Sequence, residues 1–349
     1  MKHVGYYNLM FVFLTLFSVS CKETILNNEL EQPQSIEGLS CTVGEAFEIT
    51  QFGAKFPFSY TYTGSDDINT FQGNIFFTDT KDESKKYSFP ISLGESIIYV
   101  DNLIPSSEYE FVIAIHNTKA SVSSEKKHFT TVSRMKAPEG AVDFGLSVFW
   151  ATNNLESTSS EESGEFYSWG DPKPFSSSTA SFSYASDLWF GYKWSKDSGH
   201  SKGFSKYSTG EMDSDNLITL EAADDPATSV LGSQWRSPSV EEVEELNEAI
   251  RLRKVDANYD SYDRVLTLTS TMNAFKGNSI QMRNYQSKVL LKGNESYYST
   301  NCSFWTRNLD ENQNEYAHAY EINAFENTFS GRSARRFEFL PIRPVYPAK

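Results

Sequence analysis

Cysteine is scarce in this chain. Cys21, Cys41 and Cys302 are the only three among 349 residues. They are too few and too widely spaced for a disulfide scaffold or a zinc cluster. Cys41 and Cys302 are expected to be free, buried small residues. Five histidines, His3, His116, His128, His200 and His318, are scattered and form no His-x-x-x-His pair. A Gly-x-Ser-x-Gly elbow and a phosphate-binding glycine loop are missing too. No residue pattern therefore calls for a cofactor or a metal. Positive charge is also in deficit, with 31 Lys and Arg against 46 Asp and Glu, a net of −15. An acidic surface repels phosphate backbones, which argues against nucleic acid as a partner and against electrostatic adhesion to anionic lipid. The acids form no long run, so they read as a dispersed solvated face.

Aromatic residues are plentiful at 15%, with 26 Phe, 19 Tyr and 6 Trp. That favours pleated sheet. The length fits two or three domains. The one strongly apolar run, Val4 to Val19, follows Lys2 and His3 and ends in small residues before Cys21. It is short for a membrane span and has the layout of a signal peptide over residues 1–20. Ser18-Val19-Ser20-Cys21 resembles a bacterial lipobox, with Ser18 where Leu is usual. The resemblance implies cleavage before Cys21, lipid attachment to it and a membrane as partner through that anchor. Residues 21–36 then read as a polar tether. Lys22-Glu23 resembles, faintly, the surface-export signal of Bacteroidetes-type lipoproteins. The implied location is the bacterial cell envelope, on the outer membrane and exposed at the cell surface.

Residues 37–133 carry seven short β-type runs separated by turn residues: Glu45–Thr50, Phe56–Tyr62, Gly73–Thr78, Tyr87–Ile91, Ser96–Val100, Glu108–His116 and Lys127–Val132. Tyr109, Phe111, Ile113 and Ile115 alternate onto one face. Seven strands in such a length suggest a β-sandwich. The run Val100-Asp-Asn-Leu103-Ile-Pro105-Ser-Ser-Glu-Tyr109 resembles the corner of a fibronectin type III domain, which makes Tyr109 the corner tyrosine. Residues 134–141, with Pro138 and Gly140, read as a linker.

Residues 142–347 hold one strong helix signal, Ser239 to Leu252. Ser239 and Glu242 make a capping box, and Val240, Val243, Leu246, Ala249 and Ile250 follow helical spacing. Asp225 before Pro226 is a second helix start. Strands are predicted at Val265–Thr269, Ser279–Arg283, Phe304–Arg307, Tyr316–Ile322 and Phe339–Pro344. Asp224 with Asp225, or Asp213 with Asp215, offers oxygens to calcium, but capping and turn roles suit them better. Ordered patches around Trp150, Trp169, Asp225, Trp235-Arg236-Ser-Pro238, Trp305 and Arg343 resemble the FISUMP-type major paralogous domain. That resemblance implies a C-type-lectin-like fold akin to formylglycine-generating enzymes. The fold class expected is thus mostly β with some helix: a fibronectin type III-like β-sandwich followed by an α+β C-type-lectin-like domain.

Formylglycine-generating chemistry needs a late pair of reactive cysteines, and Cys302 stands alone there. The expectation is a non-enzymatic surface module that binds a glycan or a protein. A structural component of a surface assembly and a degenerate or divergent formylglycine-generating-type enzyme stay open beside it. Trp189, Tyr192 and Trp194, in a Ser- and Gly-rich stretch, are the candidate ligand-binding residues, since flat rings beside polar donors suit sugars and protein hot spots. The other role open to these rings is to plug the loop onto the core.

Overall fold

The computed structural model describes residues 36–118, 120–175, 191–197, 202–210, 214–283, 287–291, 294–298 and 303–348. The protein is mostly β, with two α-helices among the described residues.

The proximal half contains β1 (Leu39–Val43), β2 (Ala54–Tyr62), β3 (Gln72–Asp79), β4 (Lys86–Ile91), β5 (Ile97–Val100), β6 (Glu108–His116), β7 (Ser121–Ser123) and β8 (Lys127–Thr130). Two antiparallel sheets form, ordered β1-β2-β5 and β4-β3-β6-β7, with β8 also pairing β6. This is a fibronectin type III-like sandwich. Alternation drives it: Tyr109, Phe111, Ile113 and Ile115 of β6 are all buried, as the period of two requires. Between the sheets Phe56 lies 5.4 Å from Phe77, 4.8 Å from Phe111 and 5.3 Å from Phe129, ring to ring. Such tilted and edge-on pairs add to the area buried. The Tyr109 hydroxyl accepts the Ile104 amide at 3.0 Å, so the corner closes as expected. Burial pushes that phenol up to about 12.

Glu45–Thr50 is not a strand. Glu48 has φ of 47°, which breaks an extended run, and Phe47 makes only an isolated bridge to Lys55. The edge strand lies earlier, at β1, where Leu39, Cys41 and Val43 face inward. Cys41 is free and buried, and burial raises its thiol pKa.

The distal half begins with β9 (Ala141–Val142) and β10 (Val148–Ala151), then β11 (Ser195–Asp197) and β12 (Lys202–Phe204). Helices α1 (Pro226–Leu231) and α2 (Val240–Arg251) follow. Next come β13 (Val255–Asp260), β14 (Val265–Ser270), β15 (Ser279–Arg283), β16 (Ser287–Leu291), β17 (Asn294–Tyr298), β18 (Phe304–Leu309), β19 (Tyr316–Asn323), β20 (Thr328–Arg335) and β21 (Val345–Pro347). Three small antiparallel sheets, β21-β10-β9, β13-β14-β15 and β18-β19-β20, are joined by two hairpins, β11-β12 and β16-β17. Strands from the start and end of this half pair: Val148 with Pro347 and Trp150 with Val345.

Helix α2 starts at its capping box, with Ser239 Oγ accepting the Glu242 amide at 3.3 Å and Glu242 accepting the Ser239 amide at 2.8 Å. Its buried stripe of Val243, Leu246 and Ala249 packs with Trp150, Leu266, Leu268, Phe304 and Phe329. Phe339–Pro344 is not a continuous strand, because Pro341 and Pro344 remove ladder donors; Leu340 makes an isolated bridge to Tyr167, and a ladder resumes at β21.

The two halves are clamped rather than loosely linked. Arg134, the first residue of the stretch read as a linker, has a side chain only 5% exposed. Its Nε and Nη2 each donate to Asp143 at 2.8 Å, and its Nη1 donates to Gln51 at 2.8 Å. Its guanidinium sits 5.4 Å from the Phe52 ring of the proximal half, and 5.2 Å and 5.6 Å from Phe149 and Phe275 of the distal half. Lys254 pairs with Asp101 at 2.6 Å, and Asn273 bonds Asn102 twice, at 2.8 and 2.9 Å. Several of these contacts exclude a swivel at residue 134.

Candidate functional site

Two of the three candidate ring residues are described, Tyr192 and Trp194; Trp189 lies outside the described residues, as do Cys21 and Cys302. Tyr192 is buried and does not line a surface. Its hydroxyl donates to the Trp169 carbonyl at 2.7 Å and accepts from Arg336 Nε at 3.1 Å. Burial raises its pKa, more than the nearby Arg336 lowers it. Tyr192 therefore plugs its loop onto the core.

Arg336 explains why. This guanidinium is wholly buried. It donates to the carbonyls of Tyr207 at 2.9 Å, Asn314 at 3.0 Å and Lys206 at 2.9 Å. The rings of Phe204, Trp169 and Tyr192 stand 4.1, 5.1 and 5.4 Å from it. Carbonyl dipoles and π faces thus take the place of a carboxylate partner. Burial still lowers its pKa. Three separate loop segments are tied to one side chain.

Trp194 is half-buried. Its Nε1 donates to the Gly170 carbonyl at 2.8 Å. Gly170 has φ of +73°, and a Cβ there would meet Leu220 at 2.9 Å and Trp194 at 3.2 Å, so only glycine fits. Lys193 Nζ lies 4.3 Å and Lys206 Nζ 5.3 Å from the Trp194 ring. Both ammonium groups also reach Asp224, at 2.8 and 2.6 Å, and the Tyr207 hydroxyl donates to it at 2.7 Å. Burial would raise the Asp224 carboxyl, but these three donors together hold it below its ordinary value. Tyr207 is pushed up to about 12, by burial first and by Asp224 second.

Asp224 thus caps no helix; two cations and a phenol occupy its carboxylate. Its neighbour Asp225 does cap α1, accepting the Ala227 amide at 2.9 Å, and it also takes the Ser237 amide at 2.9 Å. Burial raises the Asp225 pKa. Asp215 accepts the amides of Tyr207 and Ser208 at 2.8 and 2.9 Å, a turn role; Asp213 lies outside the described residues.

The remaining motif residues are framework. Trp150, Trp169, Trp305 and Arg343 are fully buried, and Pro238 is buried too. Trp169 Nε1 donates to the Thr306 carbonyl at 2.8 Å, and Trp305 Nε1 to the Tyr167 carbonyl at 2.7 Å. Arg343 donates to Asn154 at 2.9 Å and to the carbonyls of Thr152 at 2.6 Å and Gln281 at 2.9 Å. Arg236 pairs with Glu242 in the fork-on-fork manner, and Trp235 packs edge-on to Tyr346 at 5.4 Å.

One feature went unread in the sequence. At the junction of the halves is a cleft of about 470 Å³ lined by Ile104, Pro105, Met135, Ala137, Val142 and Phe275, with Lys136 and Asn278 among its polar members. Its size and mainly apolar lining suit a ligand or a partner's side chains. No local motif announces it, because its lining comes from three distant stretches of chain.

No protein-family model matches the chain, and no curated protein does. Among solved structures, the chain is similar to a computationally redesigned β-sandwich protein, at 18% identity, covering 27% of this chain and 91% of that one, with a TM-score of 0.23. It is similar to the sensor domain of the anti-sigma factor RsgI4 of Pseudobacteroides cellulosolvens, at 16% identity over 28% of this chain and 99% of that one, TM-score 0.22. A fibronectin type III domain of the human KIAA0970 protein gives 19% identity over 28% and 77%, TM-score 0.22. Nothing about this chain's chemistry follows from these likenesses.

Proposed function

We propose that the chain is a lipid-anchored, non-enzymatic surface protein that binds a protein or glycan partner. In this reading Cys21 carries the lipid, the sandwich acts as a spacer, and the distal half is a FISUMP-type, C-type-lectin-like domain. Antiparallel pairing of β10 with β21, which closes that half on itself around a long loop-rich insertion, supports the last part.

One observation carries the binding reading. The charged groups of the distal half that have chemistry to offer, Asp224, Asp225, Arg336 and Arg343, are consumed by internal bonds. Among the described residues, the half-buried Trp194 and the apolar junction cleft remain open to a partner. Side chains committed to framework bonds cannot shuttle protons or attack a substrate without unfolding their loops.

The test is a glycan and protein array probed with the full chain and with Trp194→Ala and Met135→Asp variants. Saturable capture lost in either variant supports the reading and tells which surface is used. Capture unchanged in both, or none at all, overturns it. Growth with an alkyne fatty acid tests the anchor: label should appear on the wild-type chain and vanish in Cys21→Ser.

A further inference from the structure

Two aromatic side chains stand almost wholly in solvent. Tyr262 is 92% exposed and Phe325 is 98% exposed. Each sits in a turn, Tyr262 between β13 and β14 and Phe325 between β19 and β20. The two turns are neighbours, because the Tyr259 amide donates to Asn327 Oδ1 at 3.1 Å. Both turns are stiff. Asp260 Oδ1 accepts the Tyr262 and Asp263 amides at 2.7 and 3.1 Å, and Asn323 Oδ1 accepts the Phe325 and Glu326 amides at 3.1 and 3.2 Å. Large rings held in the open at rigid tips are costly in water unless something covers them.

Charge narrows the choice of cover. Asp260, Asp263 and Glu326 flank the rings, against Arg264 alone. That excess of carboxylate repels an anionic bilayer and suits a partner surface that is apolar with a basic rim. The junction cleft is such a surface. Its lining includes Ile104, Pro105, Met135, Val142 and Phe275, with Lys136 among its polar members. Asp143 in the lining is already paired with Arg134, which leaves Lys136 as the lining charge without an ion pair among the described residues, and Lys276, also without one, follows the lining residue Phe275. The cleft lies at the far end of the same hairpin, where β14 runs out towards Met272 and Phe275. Six residue pairs separate the ends, roughly 20 Å of strand. A chain cannot fold its own tips into its own cleft over that distance, but a neighbour's tips can enter it.

We infer that the tip pair Tyr262 and Phe325 of one copy docks in the junction cleft of a second copy, head to tail. The inference deepens the binding reading and rests on it, since it names the occupant of the cleft. Two rings bury about 300–500 Å² between them, less than a stable interface needs. The contact is therefore weak in dilute solution and forms where copies share one surface. A heterologous contact of this kind repeats, giving rows or rings instead of closed dimers.

The test uses two differently tagged full-length copies made in one cell. One carries the photo-crosslinker benzoylphenylalanine in place of Phe325. Illumination should join it to the 134–142 or 271–278 peptide of the other copy. Met135→Asp in the receiving copy should lower the yield by roughly tenfold or more, the scale of losing an anchoring aromatic contact. Crosslinks only to other proteins, only to lipid, or to nothing overturn the inference. If the arrays still show capture that Met135→Asp abolishes, the binding reading survives its failure; if neither gives a signal, both fall. Phe325→Ser should leave the thermal midpoint unchanged, which keeps folding out of the result.

Discussion

The two halves of the molecule are stabilised in different ways. The proximal sandwich has a core of stacked and edge-on rings, Phe56, Phe58, Phe77, Tyr109, Phe111 and Phe129, with no buried cation among the described residues. The distal half instead buries Arg336 and Arg343 completely and holds irregular loops to the core with their donors. Sheet satisfies its own backbone by pairing, so a sandwich can be filled with hydrocarbon alone. Long loops expose carbonyls, and something must bind them; here arginine does so. The difference predicts that hydrophobic truncation breaks the first half, and loss of a polar hub breaks the second.

The largest effect is expected from Phe56→Ala. Removing a ring that meets three others should cost about 3–5 kcal/mol, read as a lower denaturant midpoint for the sandwich signal. Arg336→Met comes next. It keeps the bulk but orphans three carbonyls, which loosened loops let water reach in part, so the loss is about 1–3 kcal/mol in all. Proteolysis within residues 191–225 should accelerate while the sandwich transition stays put. If Arg336→Met melts both halves equally, the contrast fails. Arg134→Ala, smaller again at about 2 kcal/mol, should lower both transitions, because it removes a clamp that the two halves share. Tyr109→Phe should cost about 1 kcal/mol by losing one hydrogen bond, and an unchanged midpoint would mean the corner bond is dispensable.

Acid sharpens the comparison further. Asp224 has its folded pKa held below the unfolded carboxylate value. Its contribution is present above about pH 4 and is lost as pH falls below that. Asp225 is shifted up, so its contribution has the opposite sign: present at low pH and lost as pH rises through its raised folded value. Acid titration of the distal signal should therefore show a loss of stability below about pH 4 that Asp224→Asn removes. A sandwich signal that tracks the same titration would show the two halves to be electrostatically coupled.

How much could be read beforehand follows the same division. Local rules were enough for β6, β3, β4, α2 with its capping box, the Asp225 cap and the Tyr109 corner, because each depends on neighbours in sequence. Strand β10 escaped, since Val148, Phe149, Trp150 and Ala151 are all buried and show no alternation. Strand β13 escaped because Asp256, Asn258 and Asp260 dilute its apolar face. The roles of Arg336 and Arg134 were out of reach, as their partners lie far away in the chain. A faint signal did exist for Arg336: Arg336-Phe337-Glu338-Phe339 places a cation among alternating rings. For Tyr192 the sequence left a ligand-facing ring and a plug onto the core both open, and the cation that makes it a plug was not foreseen.

The Arg134 clamp has a mechanical consequence. A hinge at that point would let the distal half wander over a hemisphere, and its bearing relative to the sandwich would average away. Packed between three rings and a carboxylate, the joint instead transmits torque. The sandwich and the distal half turn as one, and whatever orients the sandwich also aims the turns at Tyr262 and Phe325.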